Sequence, residues 1–171
     1  MGLDLCGWVR RDHEDLDRAL ICMCDAATPP KELANLVEVF RLALAVHSAT
    51  EAHVLDLLLT RVGGPRALSM IVTHTRIEHS AQRVAAERLL QIRPASLAWY
   101  EHAIALRDLV LDHSNRSERA RWTFNDHLPP DVHAALATEY ARERMRVLGC
   151  TSPLDLAQRR DHRVPFNRAD A

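Results

Sequence analysis

His47 and Glu51 stand one helical turn apart in a run whose other members, Leu33, Leu36, Phe40, Leu44, Val54 and Leu58, follow the three- and four-residue spacing of a single helical stripe. Both side chains ligate metals. An ionised carboxylate inside an apolar stripe is costly unless a cation or a donor compensates it. The interruption recurs along the chain. His13 falls among Cys6, Val9, Leu16, Leu20 and Cys24; His113 follows Trp99, Ala103, Leu106 and Val110, with Glu118 five residues beyond it. His74 and His79 lie on opposite flanks of the arc formed by Leu68, Ile71, Val72, Ala85, Ala86, Leu89 and Leu90, about 140° apart by helical geometry.

The elements that must carry these residues are marked by sparse breaks: Thr-Pro-Pro at 28–30, Gly-Gly-Pro at 63–65, Arg-Pro-Ala-Ser at 93–96, Leu-Pro-Pro at 128–130 and Gly-Cys-Thr-Ser-Pro at 149–153. Between them the spacing predicts helices over about 5–26, 31–62, 65–92, 95–126 and 130–148. No alternating β-branched pattern intervenes. Short loops between long amphipathic helices favour antiparallel neighbours. The expected fold is therefore all-α: an antiparallel up-down-up-down four-helix bundle with an additional C-terminal helix packed outside it or across one end. Residues 1–150 form this domain, and the polar, unpatterned stretch 151–171 is expected to be a loosely ordered tail.

A single histidine on an apolar face is more often a hydrogen-bonded core residue than a ligand. Four helices doing this at one height would be different, and the loops allow a count. From the first turn, near 28, His13 lies 15 residues before and His47 19 after; from the second, near 64, Glu51 lies 13 before and His79 15 after. From the third, near 94, His79 lies 15 before and His113 19 after. At about 1.5 Å per residue these offsets agree within one or two turns. The expected layer contains His13, His47, Glu51, His74, His79, His113 and Glu118. Imidazole and carboxylate without thiolate suit iron, manganese or zinc. Seven ligands exceed one tetrahedral ion and suit two octahedral ions sharing bridging carboxylates, with one coordination position open.

Bulk properties narrow the classes further. The 171 residues are 47% hydrophobic, enough for one sizeable core, and the net charge of −1 with interleaved Arg, Asp and Glu offers nothing to a nucleic acid. The N-terminus lacks a basic start followed by an apolar run, and no stretch reads as the roughly 20 apolar residues of a membrane span, so a cytoplasmic protein is expected. Cysteines at 6, 22, 24 and 150 have no zinc-site spacing and read as reduced thiols. His53, six residues after His47, points away from the stripe; His102 shares the His113 face about 16 Å away and reads as a core or supporting histidine. His127, His133 and His162 read as solvated. Trp99, Tyr100, Trp122 and Phe124 read as packing residues.

The ordered set Asp12-His13-Glu14, His47-x3-Glu51, the His74 and His79 region, and His113-x4-Glu118 followed by Leu128-Pro129 resembles the hemerythrin family, the hemerythrin-like or HHE cation-binding domains, over about residues 8–128. The resemblance implies a non-haem, oxo-bridged centre of two iron ions, with Glu51 and Glu118 as bridges and O2 or another small diatomic as the ligand. It also implies roles in O2 binding or in sensing oxygen, redox or iron status. Sensing would need a separate signalling partner protein, because the chain has no room for a second domain. The histidines on the third helix are five apart, where four would share a face, so Glu78 is an alternative ligand in place of His74. Where many relatives carry a Glu four residues after the fourth-helix His, this chain has Ser117. No Glu is followed three residues later by His, which excludes the ferritin-like pattern. The competing readings are a di-iron oxidase or peroxidase-like enzyme, and a structural bundle that has lost full metal binding.

Overall fold

A computed structural model of the chain describes residues 4–61, 66–125 and 128–150, and the expectation of a loosely ordered tail at 151–171 lies outside them, as do those for His127 and His162 and for the side chains of Trp122 and Phe124. Five helices follow one another: α1 (Leu5–Cys24), α2 (Pro30–Arg61), α3 (Arg66–Leu89), α4 (Leu97–Asn125) and α5 (Pro130–Cys150). Among the described residues there is no strand.

Local chemistry sets the ends. Asp4 caps α1 by accepting from the Gly7 amide at 2.7 Å, and the Thr28 hydroxyl donates to the Cys22 carbonyl just after the helix closes. Pro30 and Pro130 each occupy a first helical position, where the missing amide proton is not needed. The third helix ends at Leu89 rather than near 92. Gln91 and Ile92 turn back onto the Arg88 and Leu89 carbonyls with three-residue bonds that tighten and terminate it. Ala95 then adopts a left-handed conformation (φ 61°), and Ser96 opens α4 by accepting from the Trp99 amide at 3.2 Å.

α1 packs against α2, α4 and α5; α3 packs against α2 and α4; and α5 lies against α2 as well as α1. The interior divides into two apolar clusters. One gathers Leu16, Leu20, Met23, Leu33, Val37, Phe40, Leu44, Ala86, Leu89, Trp99, Ala103, Leu106 and Val110. The other gathers Leu5, Val9, Val54, Leu55, Leu58, Leu68 and Val72 with Leu136 and Tyr140 of α5. In α1, α2 and α3 a buried polar residue stands between the helix's contribution to one cluster and to the other: His13, His47 with Glu51, and His79; in α4 the buried His113 and Ser117 follow its contribution to the first cluster. The fold is thus two dry cores with a polar layer between them.

α2 is apolar enough over its length to cross a membrane, contrary to the expectation that no stretch is. In this fold its apolarity serves packing, because α2 is the helix enclosed by α1, α3 and α5, and its stripe carries the polar pair His47 and Glu51.

Candidate metal centre

The polar layer is dry. His13, His47, Glu51, His79 and His113 are each no more than 6% exposed. Glu51 is the centre of convergence: its Oε2 lies 3.5 Å from His47 Nε2, 3.1 Å from His79 Nε2 and 3.2 Å from His113 Nε2. The imidazoles also face one another, with His113 Nε2 at 3.5 Å from His47 Nε2 and 3.1 Å from His79 Nε2. Three ring nitrogens and one carboxylate oxygen from α2, α3 and α4 therefore share one small volume. His13 closes the layer from α1, its ring edge-on to His47 at 4.8 Å and to His113 at 5.4 Å between centroids. A looser grouping, with ligand atoms within 4.8 Å of one another, joins His13 to His47, Glu51 and His113. Two donors to one ion, each at about 2.1 Å, cannot be more than about 4.2 Å apart, so the contacts of 3.5 Å and less define the tighter set.

A second ring of residues holds the first. His113 Nδ1 lies 2.8 Å from Glu78 Oε2; a carboxylate only accepts, so the neutral ring carries its proton on Nδ1 and turns the Nε2 lone pair inward. Glu78 is fixed in turn by Arg116 Nε at 2.5 Å. The Ser117 hydroxyl donates to Glu51 Oε1 at 2.6 Å, which leaves Oε2 as the oxygen aimed at the imidazoles. Asp12, buried beside His13, accepts from Tyr140 at 2.7 Å and from Arg144 Nε at 3.0 Å, both on α5. Its Oδ2 stands 4.0 Å from His47 Nδ1, beyond hydrogen-bond distance, so a carboxylate held by α5 lies behind a cluster imidazole.

Electrostatics follow from this arrangement. Burial holds the His47 imidazole well below its ordinary value, against the pull of Glu51. Burial also disfavours a charged His113, but the hydrogen bonds and charges of Glu51 and Glu78 outweigh it and raise that group. Burial alone would raise Glu78; its hydrogen bonds to His113 and Arg116 prevail and lower it. Neutral imidazoles and an ionised carboxylate are the protonation states that metal ligation requires.

The expected ligands do not all arrive. His74 is the clear difference: its side chain is 64% exposed and pairs with Glu78 at 2.9 Å on the outer face of α3. The residue one turn before His79 on the inward face is Thr75, which is buried. Glu78 does not face the cluster centre either, but sits behind His113. Glu118 is 35% exposed and, among the described residues, reaches His13, with Oε1 3.5 Å from Nδ1. The supporting roles of Ser117, Tyr140 and Arg144 were not among the expectations. The one available signal was the one-turn spacing of Tyr140 and Arg144, but nothing in α5 names Asp12 as their partner. His53 meets Glu139 of α5 at 3.8 Å and so serves a helix contact. His102 is half-exposed, its Nδ1 2.8 Å from the Ala98 carbonyl, rather than in the core.

Next to the cluster, on the side of the second apolar core, is a cavity of about 30 Å³ whose wall includes Glu51, Thr75, Ser117 and Tyr140 among Val9, Val54 and Leu68. That is room for one or two water-sized molecules.

No family model, curated protein or solved structure matches the chain. What can be said of the site comes from its own residues: a buried His and Glu cluster able to hold a metal ion.

Proposed function

We propose that this protein is a metal-binding helical module of hemerythrin-like type, an up-down-up-down bundle that holds iron in its buried polar layer and binds or senses O2 or another small diatomic. The antiparallel topology is supported by the two cores. One collects the end of α1, the start of α2, the end of α3 and the start of α4, and the other collects the opposite ends of α1, α2 and α3. Manganese and zinc suit the same nitrogen and oxygen donors.

One observation carries the reading: three buried imidazole nitrogens, of His47, His79 and His113, lie 3.1–3.5 Å from one buried carboxylate oxygen of Glu51, and His113 Nε2 lies as close to the other two. Without a cation this would be a poor use of a core. Lone pairs would face lone pairs, or charged imidazoles would crowd one another, in a medium that screens neither. With one, every group is in its ligating state. The residues fit the group.

His47, His79, His113 and Glu51 would hold the ion. Glu78 and Asp12 would orient His113 and His47 from behind, and Ser117 would fix the rotation of Glu51. Bound iron supplies a reversible one-electron couple and a coordination position open to a small ligand. The apolar wall of the adjoining cavity keeps bulk water away from that position. The cavity's size favours a diatomic over an organic substrate, because pockets for drug-sized molecules run to several hundred Å³. A di-iron oxidase is less well supported for the same reason.

The test is metal analysis and absorption spectroscopy of the protein loaded with Fe(II) and then exposed to O2. The expected result is at least one equivalent of iron, with new near-ultraviolet absorption that is lost in Glu51→Gln. A protein that retains no metal, with a melting temperature indifferent to Fe(II), zinc and chelator, would refute the reading.

A further inference from the structure

The resemblance implies two metal ions; the donors brought together here do not fit two. We infer that the centre is mononuclear, a three-histidine and one-glutamate site made of His47, His79, His113 and Glu51, with His13 and Glu118 forming a wall beside it rather than a second metal position. This rests on the metal-binding reading above and concerns how many ions it holds.

The first ground is spacing. Donors about 2.1 Å from one ion lie about 3.0 Å apart when adjacent on an octahedron and about 3.4 Å apart on a tetrahedron. The separations of Glu51 Oε2 from the three imidazoles, and of His113 Nε2 from His47 and His79, run from 3.1 to 3.5 Å and cover that interval. One ion can satisfy these separations.

The second ground is what remains. A second ion needs its own donors and a bridging carboxylate. His74 faces solvent and is held by Glu78, and Glu78 is itself occupied by His113 and Arg116. The inward position one turn before His79 carries Thr75, a neutral hydroxyl. Glu51 could bridge only through Oε1, which accepts from Ser117. Ser117 is itself neutral where a carboxylate would be needed. Asp12 accepts from Tyr140 and Arg144, which leaves His13 and Glu118, facing each other at 3.5 Å at the edge of the layer. The volume by Thr75 and Ser117 is the small cavity, walled by hydroxyls and hydrocarbon, which suits an exogenous ligand of the one ion.

The test counts ions on the unmodified chain: native mass spectrometry and elemental analysis after anaerobic loading with excess Fe(II), and separately with zinc, followed by desalting. One ion per chain is expected with either metal. Two ions per chain would overturn the inference while leaving metal binding intact; none would overturn the metal-binding reading and this inference with it. His13→Ala should keep one ion, with its dissociation constant changed by less than about tenfold, the lower edge of what supporting residues contribute. His79→Ala should lose it. Loss of the ion in His13→Ala, with helical content and melting temperature of the apo protein preserved, would also overturn the inference.

Discussion

Replacing Tyr140 with Phe removes one oxygen atom and keeps the ring that fills the second apolar core. The phenol is fully buried and donates at 2.7 Å to Asp12 Oδ2, which is itself only 5% exposed. A hydrogen bond to a charged acceptor contributes about 1.5–3 kcal/mol, and the larger value applies when the abandoned partner stays buried. Arg144 remains on Oδ1, so the expected cost is near 2 kcal/mol, equivalent to a fall in Tm of about 4–8 °C for a domain of this size. Urea denaturation followed by circular dichroism should show the midpoint falling with an unchanged slope, the mark of a native-state loss. Because Asp12 also backs His47, the dissociation constant for metal should rise by about tenfold or more. A stability change below about 0.5 kcal/mol, or a weakened fold with unchanged metal affinity, would refute the claim that Asp12 couples α5 to the centre.

His74→Ala should leave both metal content and Tm unchanged, within about 0.5 kcal/mol, because the side chain is solvated and outside the cluster; titration with zinc and a thermal melt check this. Ala95→Val should destabilise by about 1–2 kcal/mol, since a β-branched residue resists the left-handed backbone at φ 61°, measurable by denaturation. For pH, His47 titrates lower folded than unfolded. Its contribution is complete above about pH 6.5, the unfolded value, and is lost as pH falls toward its folded value. His113 runs the other way, contributing below about 6.5 and fading as pH rises past its raised value. Metal ligation needs both neutral, so the rise in Tm on adding zinc should be large at about pH 7.5 and shrink toward about pH 5.

The helices were legible because each buries a stripe at regular spacing and each break carries proline, glycine or a cap. His13, His47, Glu51 and His113 were legible for the same reason: each interrupts an apolar stripe and so must face the core. His74 was not, because periodicity fixes the angle between two residues on a helix but not which of two flanks the neighbouring helices cover. α2 and α4 cover the flank of His79 and Thr75, leaving His74 outside. Ser117 read as a missing carboxylate, whereas the fold uses it as a donor that turns Glu51. The partnership of Asp12 with Tyr140 and Arg144 was hidden because it depends on where α5 docks, and no spacing within α5 states which helix it will meet.

An anomalous difference map, recorded at the metal absorption edge from crystals of the loaded protein, tests most directly that the polar layer is a metal centre. A peak enclosed by His47, His79, His113 and Glu51 is expected. A map with no peak among these four residues, from protein shown to have been exposed to excess metal, would contradict it.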